Sequence, residues 1–579
     1  KEGNLGKDDR NDLNSKNLED VAEYGAKDVV VPYQIWNFQK EEAKLKGDDH
    51  FENVVMNVIG DIIYCTTILE QNGEKIDKPY LMSLIGDNSS FGQEMKKVQS
   101  EIYAAKETQI ANDIICERAG FNTNTKAGLF GKKKWLFDIG KPEHKKILFV
   151  DVMGLKADKT AKGGDSIGKE FKARYQEIPL VAKFDRLEKM KKAISTFILG
   201  HFQRFKDDKD LRNDSRLRSS YGFTGVVTGR ISATNPNLQQ IPSRGEFCKL
   251  VKRQFIANPN HFFLKADYSA HEVRNWGNVA QDPNVCQAFD VGKQLRKELR
   301  DYLSDDFEIS KRFSEYQTQI GWKVPKGSDK KPISYDEKKI AISQIPDKRF
   351  KKYCELMFDL ENRGDVHKLN YEFFCGVPAA LVNPQQRQSA KGLVFGTIYG
   401  RGANSIAAEI NTTPEEAQNL QDAMFAKFEI GGKWLTDCKK IGEKIYKVVS
   451  PNGRIRHLDS YMNGSSNLIA ATDRQGPNSC IQGFSSDVGF ASGKIMQDIC
   501  WNWFWKKGID LDFRYCNVVH DITETEVSLA HLPICLYLLE HSYTTLVHRK
   551  LKKLYGIDLV CGYEVESDLG IAMNHMETF

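Results

Sequence analysis

The sequence predicts an α+β protein. Two apolar, β-rich segments each deliver an aspartate, and a stretch between them repeats charged and aromatic residues every fourth position, as a helix face does. In the first segment, FFLKADYSAHEVR (residues 262–274), the run FFL reads as a buried strand with Asp267 at its end. Glu272 and Arg274 then fall on the first turns of a following helix. The second segment, YCNVVHDITETEV (515–527), has Asp521 in its middle. Read as one strand, it puts Asp521, Thr523 and Thr525 on one face and His520, Ile522 and Glu524 on the other. Between them, RQSAKGLVFGTIYG (387–400) spaces Arg387, Lys391, Phe395 and Tyr399 four apart, which aligns them along one side of a helix.

These residue types suit one chemistry. Two carboxylates on neighbouring strands are what two-metal phosphoryl transfer needs: ions roughly 3.5–4 Å apart activate the attacking oxygen and stabilise the leaving one. Mg²⁺ takes few protein carboxylates and keeps its other positions for water and substrate phosphates. Two cations and two aromatics in one stripe suit a triphosphate and a stacked base. Taken singly, either aspartate reads as a surface or capping residue, and the stripe as an amphipathic core helix with snorkelling Lys and Arg.

Bulk properties bound the rest. A chain of 579 residues exceeds a single hydrophobic core, so several domains are expected. With 40% hydrophobic and 28% charged residues it reads as soluble and globular, with no apolar run long enough to cross a membrane and no membrane partner. The polar start KEGNLGKDDRNDL excludes a signal peptide, and the lack of an initiator Met suggests a processed, split or engineered chain. A net charge of +5 is only mildly basic and does not by itself point to nucleic acid. The 12 cysteines show no C-x-x-C pair and no zinc spacing, so free thiols in a reducing compartment are expected. The expected compartment is the cytoplasm, with an organelle as the alternative. Residues 96–218 are dense in Lys and Arg, including KKKW (132–135) and KMKKA (189–193) around the polar loop TAKGGDS (160–166). Basic helices beside such a loop could grip a phosphate backbone, and the alternative is a solvated face. A second charged block spans 290–361.

At this point the sequence resembles the family A DNA polymerases, the bacterial polymerase I class and its phage relatives. DYSAHEVR resembles motif A (DYSxxELR), RxxxKxxxFGxxYG is motif B, and VVHDITETEV is similar to motif C (xVHDExxxE). TGRISATNPNLQQIPSR (228–244) resembles TGRLSSTxPNLQNIPxR, and RQGPNSCIQG (474–483) resembles RxxxNxxxQG. FENVVM, NGEKID and YEVESDLG also fit, so the matches run along almost the whole chain in the family's order.

The resemblance implies a right-hand fold with thumb, palm and fingers, an antiparallel palm sheet and helical fingers. It places a C-terminal remnant of a 3′–5′ exonuclease at 1–48, thumb and connecting helices at 49–215, palm at 216–283 and 440–579, and fingers at 284–439. It implies two Mg²⁺ ions, with Mn²⁺ able to substitute, on Asp267 and Asp521 assisted by the backbone carbonyl of Tyr268. Arg387, Lys391 and His367 (in GDVH) would hold the phosphates of a dNTP, and Lys391 could donate a proton to the leaving pyrophosphate. Phe395 would meet sugar and base, and Tyr399 and Gly400 would end the helix where the templating base enters. Arg230, Asn237, Gln239, Arg244, Arg474, Asn478, Gln482 and His520 would touch primer–template DNA, largely in the minor groove, where the acceptors of A·T and T·A are nearly degenerate. The implied activity is template-directed DNA synthesis. A phage-type single-subunit RNA polymerase is disfavoured by Glu272, which matches the family's steric gate against a ribose 2′-OH, and by Phe395, where those enzymes have Met.

Four departures qualify the resemblance. Ile522 stands where motif C carries a second acid, so either that acid is dispensable or Glu524 partly substitutes. A catalytically weakened primer–template binding protein is the alternative this leaves open. In motif A, Ala270 and His271 replace Gln and Ile. Tyr24 and Asp28 match the last exonuclease motif, but only 23 residues precede Tyr24, so proofreading is expected to be absent or completed by a separate polypeptide. Finally, Asp267 and His367 lie a hundred positions apart, so most of 290–361 reads as an insertion, either a contact to template or a replisome factor or a solvated excursion.

Overall fold

The structure, a computed structural model, describes residues 18–46, 48–120, 135–159, 164–207, 214–243, 245–303, 307–324 and 331–578. Arg244, most of KKKW and the first half of TAKGGDS lie outside these residues. Tyr24 and Asp28 fall on the helix Leu18–Leu45, with their side chains also outside the described set.

The apolar alternation around Asp267 makes the central strand of a five-stranded sheet. The strands are β1 (His261–Tyr268), β2 (Phe513–Val519), β3 (Ile522–Ser528), β4 (Val565–Ala572) and β5 (His575–Thr578), in the order β2-β3-β1-β4-β5, with every pair antiparallel. Leu264, Ala266 and Tyr268 point to one face and pack with Phe484, Val488, Leu539 and Tyr543. A buried side chain of the size of Leu264 contributes about 1.5–3 kcal/mol, and this face fixes the register of β1. The opposite face changes character along the strand. Phe263 is buried against the core of the N-terminal helices, Lys265 is ion-paired to Glu524 at 2.5 Å, and Asp267 faces an open cavity.

The segment 515–527 is not one strand, which corrects the sequence reading. β2 and β3 form a hairpin, and His520 and Asp521 are its two-residue turn. His520 takes φ of +60°, as such tight turns require. The face assignment holds within β3, where Thr523 and Thr525 oppose Ile522 and Glu524, and fails for His520 and Asp521, where the chain reverses.

Among the helices, α1 (Phe51–Asn72) is long and apolar enough by composition to cross a bilayer, contrary to the expectation that no run qualifies. It packs within the protein instead: Ile62, Cys65 and Leu69 are buried with Phe490 and Tyr515, and Asp61 pairs with Lys550 at 2.5 Å. α2 (His271–Ala280) follows β1 after the two-residue turn Ser269 and Ala270, in which Ala270 is left-handed with φ of +50°. α3 (Pro283–Leu303), α4 (Phe307–Gln319), α5 (Tyr335–Ser343) and α6 (Lys348–Arg363) enclose their own core of Ile309, Phe313, Trp322, Ile342, Phe350 and Tyr353. The charged block is thus a packed helical lobe, its charges solvating the outside. Cys286 of α3 forms a disulfide with Cys561 just before β4, so two cysteines expected to be free are paired. Spacing along the chain gave no hint, because the two are 275 residues apart.

α7 (Val366–Cys375) begins at Asp365, whose side chain accepts from the backbone N–H of His367 and Lys368. α8 (Pro384–Ile398) begins with a capping box of Asn383 and Gln386 with Pro384 in the first turn. Among the described residues of the N-terminal third several cations are ion-paired: Lys145 and Lys172 with Glu188, Arg186 with Glu94 and Glu246, and Arg174 with Asp158.

Buried between this region and the sheet, Arg216 pairs with Glu526 of β3, which also accepts from the backbone N–H of Asn258 at 2.8 Å. Neither side chain reaches water to any extent. Glu526→Ala strands the guanidinium, so urea unfolding should show a loss of about 3–5 kcal/mol.

Candidate active site

The sheet and α8 face each other across a cavity of about 370 Å³. Asp267, Tyr268, Asp521 and Glu566 border it on one side, and His367, Arg387, Lys391 and Phe395 on the other. The stripe read from four-residue spacing is therefore real for its first three members. Tyr399, Gly400, Glu272 and His520 lie outside the lining.

Asp267 sits at the end of β1, flanked in register by Ile522 of β3 and Glu566 of β4. Asp521 is delivered by the hairpin turn one residue before Ile522. Among the described residues no ion pair meets Asp267, Asp521 or Glu566. Burial, then the neighbouring charges of Asp521 and Glu566, push the Asp267 carboxyl up to about 7, against the pull of Lys391. Burial also raises Asp521, opposed by Arg230, His520 and Lys391. Among the described residues no group of three or more His, Cys, Asp or Glu side chains is placed to hold a metal ion. Two uncompensated carboxylates at an open cavity nonetheless fit a hard cation that keeps water and substrate oxygens in its other positions.

The cationic side is held in place from behind. Arg387 Nε donates to Asp365 at 2.6 Å, so the residue that caps α7 also anchors the first cation of α8. Burial works to raise Asp365, but the bond and charge of Arg387 together with the backbone N–H of Lys368 outweigh it and hold the carboxyl below its usual range. Burial pushes His367 down to about 4, so it is neutral at pH 7 and offers an N–H rather than a charge. Lys391 Nζ lies 5.9 Å above the Phe395 ring, and Phe395 lies 6.1 Å from Tyr399.

The predicted nucleic-acid contacts divide into two groups. Arg230 is ion-paired with Glu272 at the start of α2, so in this structure the cation and the gate hold each other. Burial raises the Glu272 carboxyl against the effect of Arg230. Asn237 caps a short turn, and Gln239 Nε2 donates to the Val518 carbonyl on β2 at 2.9 Å, so both brace the loop against the hairpin. Arg474 is exposed and packs on Gly400, where an added Cβ would come 3.0 Å from its Cγ. An added Cβ at Gly483 would meet the Thr228 carbonyl at 2.6 Å, so the Arg230 loop lies against the helical segment carrying Asn478 and Gln482.

Glu524 does not substitute for the missing acid. It is buried, paired with Lys265 and bonded by Asn517 at 3.1 Å, two positions along the sheet from Asp267. His271 is the other resolved departure: it stacks on Tyr268 with centroids 4.1 Å apart, and burial drives it down to about 3, so it serves as a neutral core ring. Sequence reasoning missed two residues at the site. Asp365 had a visible signal, an N-cap position before a helical pattern. Glu566 had none, because its place beside Asp267 depends on strand pairing.

The architecture, an antiparallel sheet with helical lobes, is the right-hand polymerase fold. A solved structure, the POL domain of Pol1 from M. smegmatis in complex with DNA primer-template and dNTP, matches 87% of this chain and 67% of its own with a TM-score of 0.57 at 18% identity. The model of DNA polymerase family A matches residues 125–304 and 350–552, and the chain belongs to that family. The gap, 305–349, falls within the charged block. DNA polymerase I of Chloroflexus aurantiacus is 24% identical over 81% of this chain and 39% of its own length. DNA polymerase I of Pseudomonas aeruginosa is 23% identical over 88% and 44%, and the thermostable DNA polymerase I of Thermus aquaticus is 22% identical over 77% and 41%. The chain thus spans about two fifths of the length of the curated relatives it matches.

The raised Asp267 carboxyl makes a signed prediction. Its folded value of about 7 lies above the unfolded value near 3.9, so the metal-free folded state holds an extra proton between them. This group therefore costs stability progressively as pH rises from about 4 to about 7. In chelator, Asp267→Asn should melt at a higher temperature than wild type at pH 8, and the difference should shrink towards pH 4.

Proposed function

We propose that the chain is a template-directed DNA polymerase that adds deoxynucleotides to a primer 3′-OH and releases pyrophosphate. The observation that carries this reading is the cavity where unpaired Asp267 and Asp521 face Arg387 and Lys391. Membership of family A, relatives named DNA polymerase I, and a structural neighbour described with primer-template and dNTP all support it.

Asp267 and Asp521 would hold two Mg²⁺ ions, or Mn²⁺ in their place, which supply Lewis-acid stabilisation of the attacking and leaving oxygens when bound. The remaining work belongs to the chain. Arg387, fixed by Asp365, and Lys391 bind the triphosphate, and neutral His367 adds a hydrogen-bond donor without adding charge. Lys391 passes a proton to the departing pyrophosphate oxygen. Phe395 presents its ring to the sugar and base. Glu272, kept near motif A by Arg230, occupies the space a ribose 2′-OH would need. DNA lies along the surface formed by the Arg230 loop, Asn478, Gln482 and Arg474.

Primer extension tests this directly: Asp521→Ala should abolish it while leaving primer–template binding intact. Lys391→Ala should lower kcat roughly 10²–10⁴-fold, the range for loss of a general acid. Retention of wild-type extension by Asp521→Ala would refute the assignment. Wild type should strongly prefer dNTPs, and Glu272→Ala should narrow the ratio of dNTP to rNTP incorporation, measured as kcat/KM for each.

A further inference from the structure

We propose that a second cavity, adjoining the catalytic one, binds a free polyphosphate anion, the pyrophosphate that synthesis releases; this rests on the polymerase reading above. The cavity measures about 420 Å³ and lies between α3, the helices Leu532–His541 and Val547–Tyr555, and the segment leading into β4. Lys293, Arg296 and Arg300 line it from α3. Spacings of three and four stack them on one side of that helix, where like charges cost stability. Among the described residues, neither Lys293 nor Arg300 meets a carboxylate. The Lys293 ammonium lies against the segment before β4, since a Cβ added at Gly562 would sit 3.6 Å from its Nζ. Thr544 and Thr545 add hydroxyls to the lining. Of the two acids there, Glu564 is taken by Arg274 at 2.7 Å and Arg296 at 2.5 Å, and Glu540 is exposed.

Position supplies the second argument. Arg296 borders both this cavity and the catalytic one, so the two meet at its guanidinium. Arg274 borders the catalytic cavity on the same side and is fixed there by the carbonyls of Ser269, at 2.8 Å, and Gly562, at 2.5 Å. Cations therefore attend an anion at each stage: Arg387 and Lys391 in the catalytic cavity, Arg296 where the cavities meet, Lys293 and Arg300 beyond. Guanidinium and ammonium donors match phosphate oxygens. Such an anion has two sources, the pyrophosphate formed in the catalytic cavity and the triphosphate of an arriving dNTP. Pyrophosphate is the better fit, because the second cavity offers no free ring to a base. Its one aromatic residue, Tyr563, is buried against Tyr268 and His271.

The test combines equilibrium binding of radiolabelled pyrophosphate, with Mg²⁺ present, and the reverse reaction, pyrophosphate-driven shortening of the primer. Lys391→Ala, which weakens the catalytic cavity, should retain a pyrophosphate site that Lys293→Gln/Arg300→Gln in the same chain removes. In the otherwise wild-type protein, Lys293→Gln/Arg300→Gln should lower kcat/KM for pyrophosphate about fivefold or more, the scale for two exposed charge contacts. High salt should shrink that difference. The melting temperature and kcat/KM for dNTP should stay unchanged, and the charge-keeping Lys293→Arg/Arg300→Lys should behave as wild type. Unaltered pyrophosphate binding in Lys293→Gln/Arg300→Gln/Lys391→Ala would overturn the proposal. A fall in kcat/KM for dNTP with pyrophosphate unaffected would overturn it too, marking the cavity as a dNTP entry. Failure of the wild type to extend a primer would overturn the polymerase reading instead, and the binding measurement would still decide whether the site exists.

Discussion

Everything at the cavity depends on negative charge that the protein does not neutralise. Asp267 cannot withdraw, because Leu264, Ala266 and Tyr268 lock β1 into the core on the opposite face. Asp521 cannot either, because its turn is held by the β2–β3 pairing and braced by Gln239. The facing helix is equally constrained, with Leu393, Val394 and Ile398 buried and Arg387 tethered to Asp365. Two rigid elements of opposite charge are thus kept apart across a space sized for a ligand. Such preorganisation is costly for the empty protein, since burial raises both aspartates above their ordinary range.

The rest of the sheet shows that this is selective. Carboxylates on or next to the same strands have partners: Glu526 with Arg216, Glu524 with Lys265, and Glu564, just before β4, with Arg274 and Arg296. These pairs weld the sheet to the N-terminal helices and to α3. They also remove candidates, so chemistry is left to the acids without a cation. A protein of this kind separates structural from functional carboxylates by pairing rather than by burial, since Glu526 is more buried than Asp267.

The helical lobe at 283–363 follows a similar logic. Its exterior is charged, which made it read as an insertion, either a contact to template or a replisome factor or a solvated excursion, yet aromatic residues at helical spacing give it a core of its own. The Cys286–Cys561 disulfide and the Arg296–Glu564 pair tie α3 to the segment leading into β4. The lobe is therefore coupled to the strand that carries Glu566.

By itself the sequence determined the local features. The burial of FFL, the delivery of Asp267 at a strand end, the helical stripe Arg387–Lys391–Phe395 and the order of the motifs all follow from periodicity and residue type within a few turns of chain. The tertiary structure alone decided what lies across from what. That Asp521 occupies a turn depends on where the chain reverses, and alternation is blind to a reversal in a uniformly β-rich run. The commitment of Glu524 to Lys265, the pairing of Cys286 with Cys561, and the placement of Glu566 beside Asp267 join residues tens to hundreds of positions apart. Strand register sets those neighbours, and it is fixed by the packing of both faces of the sheet at once.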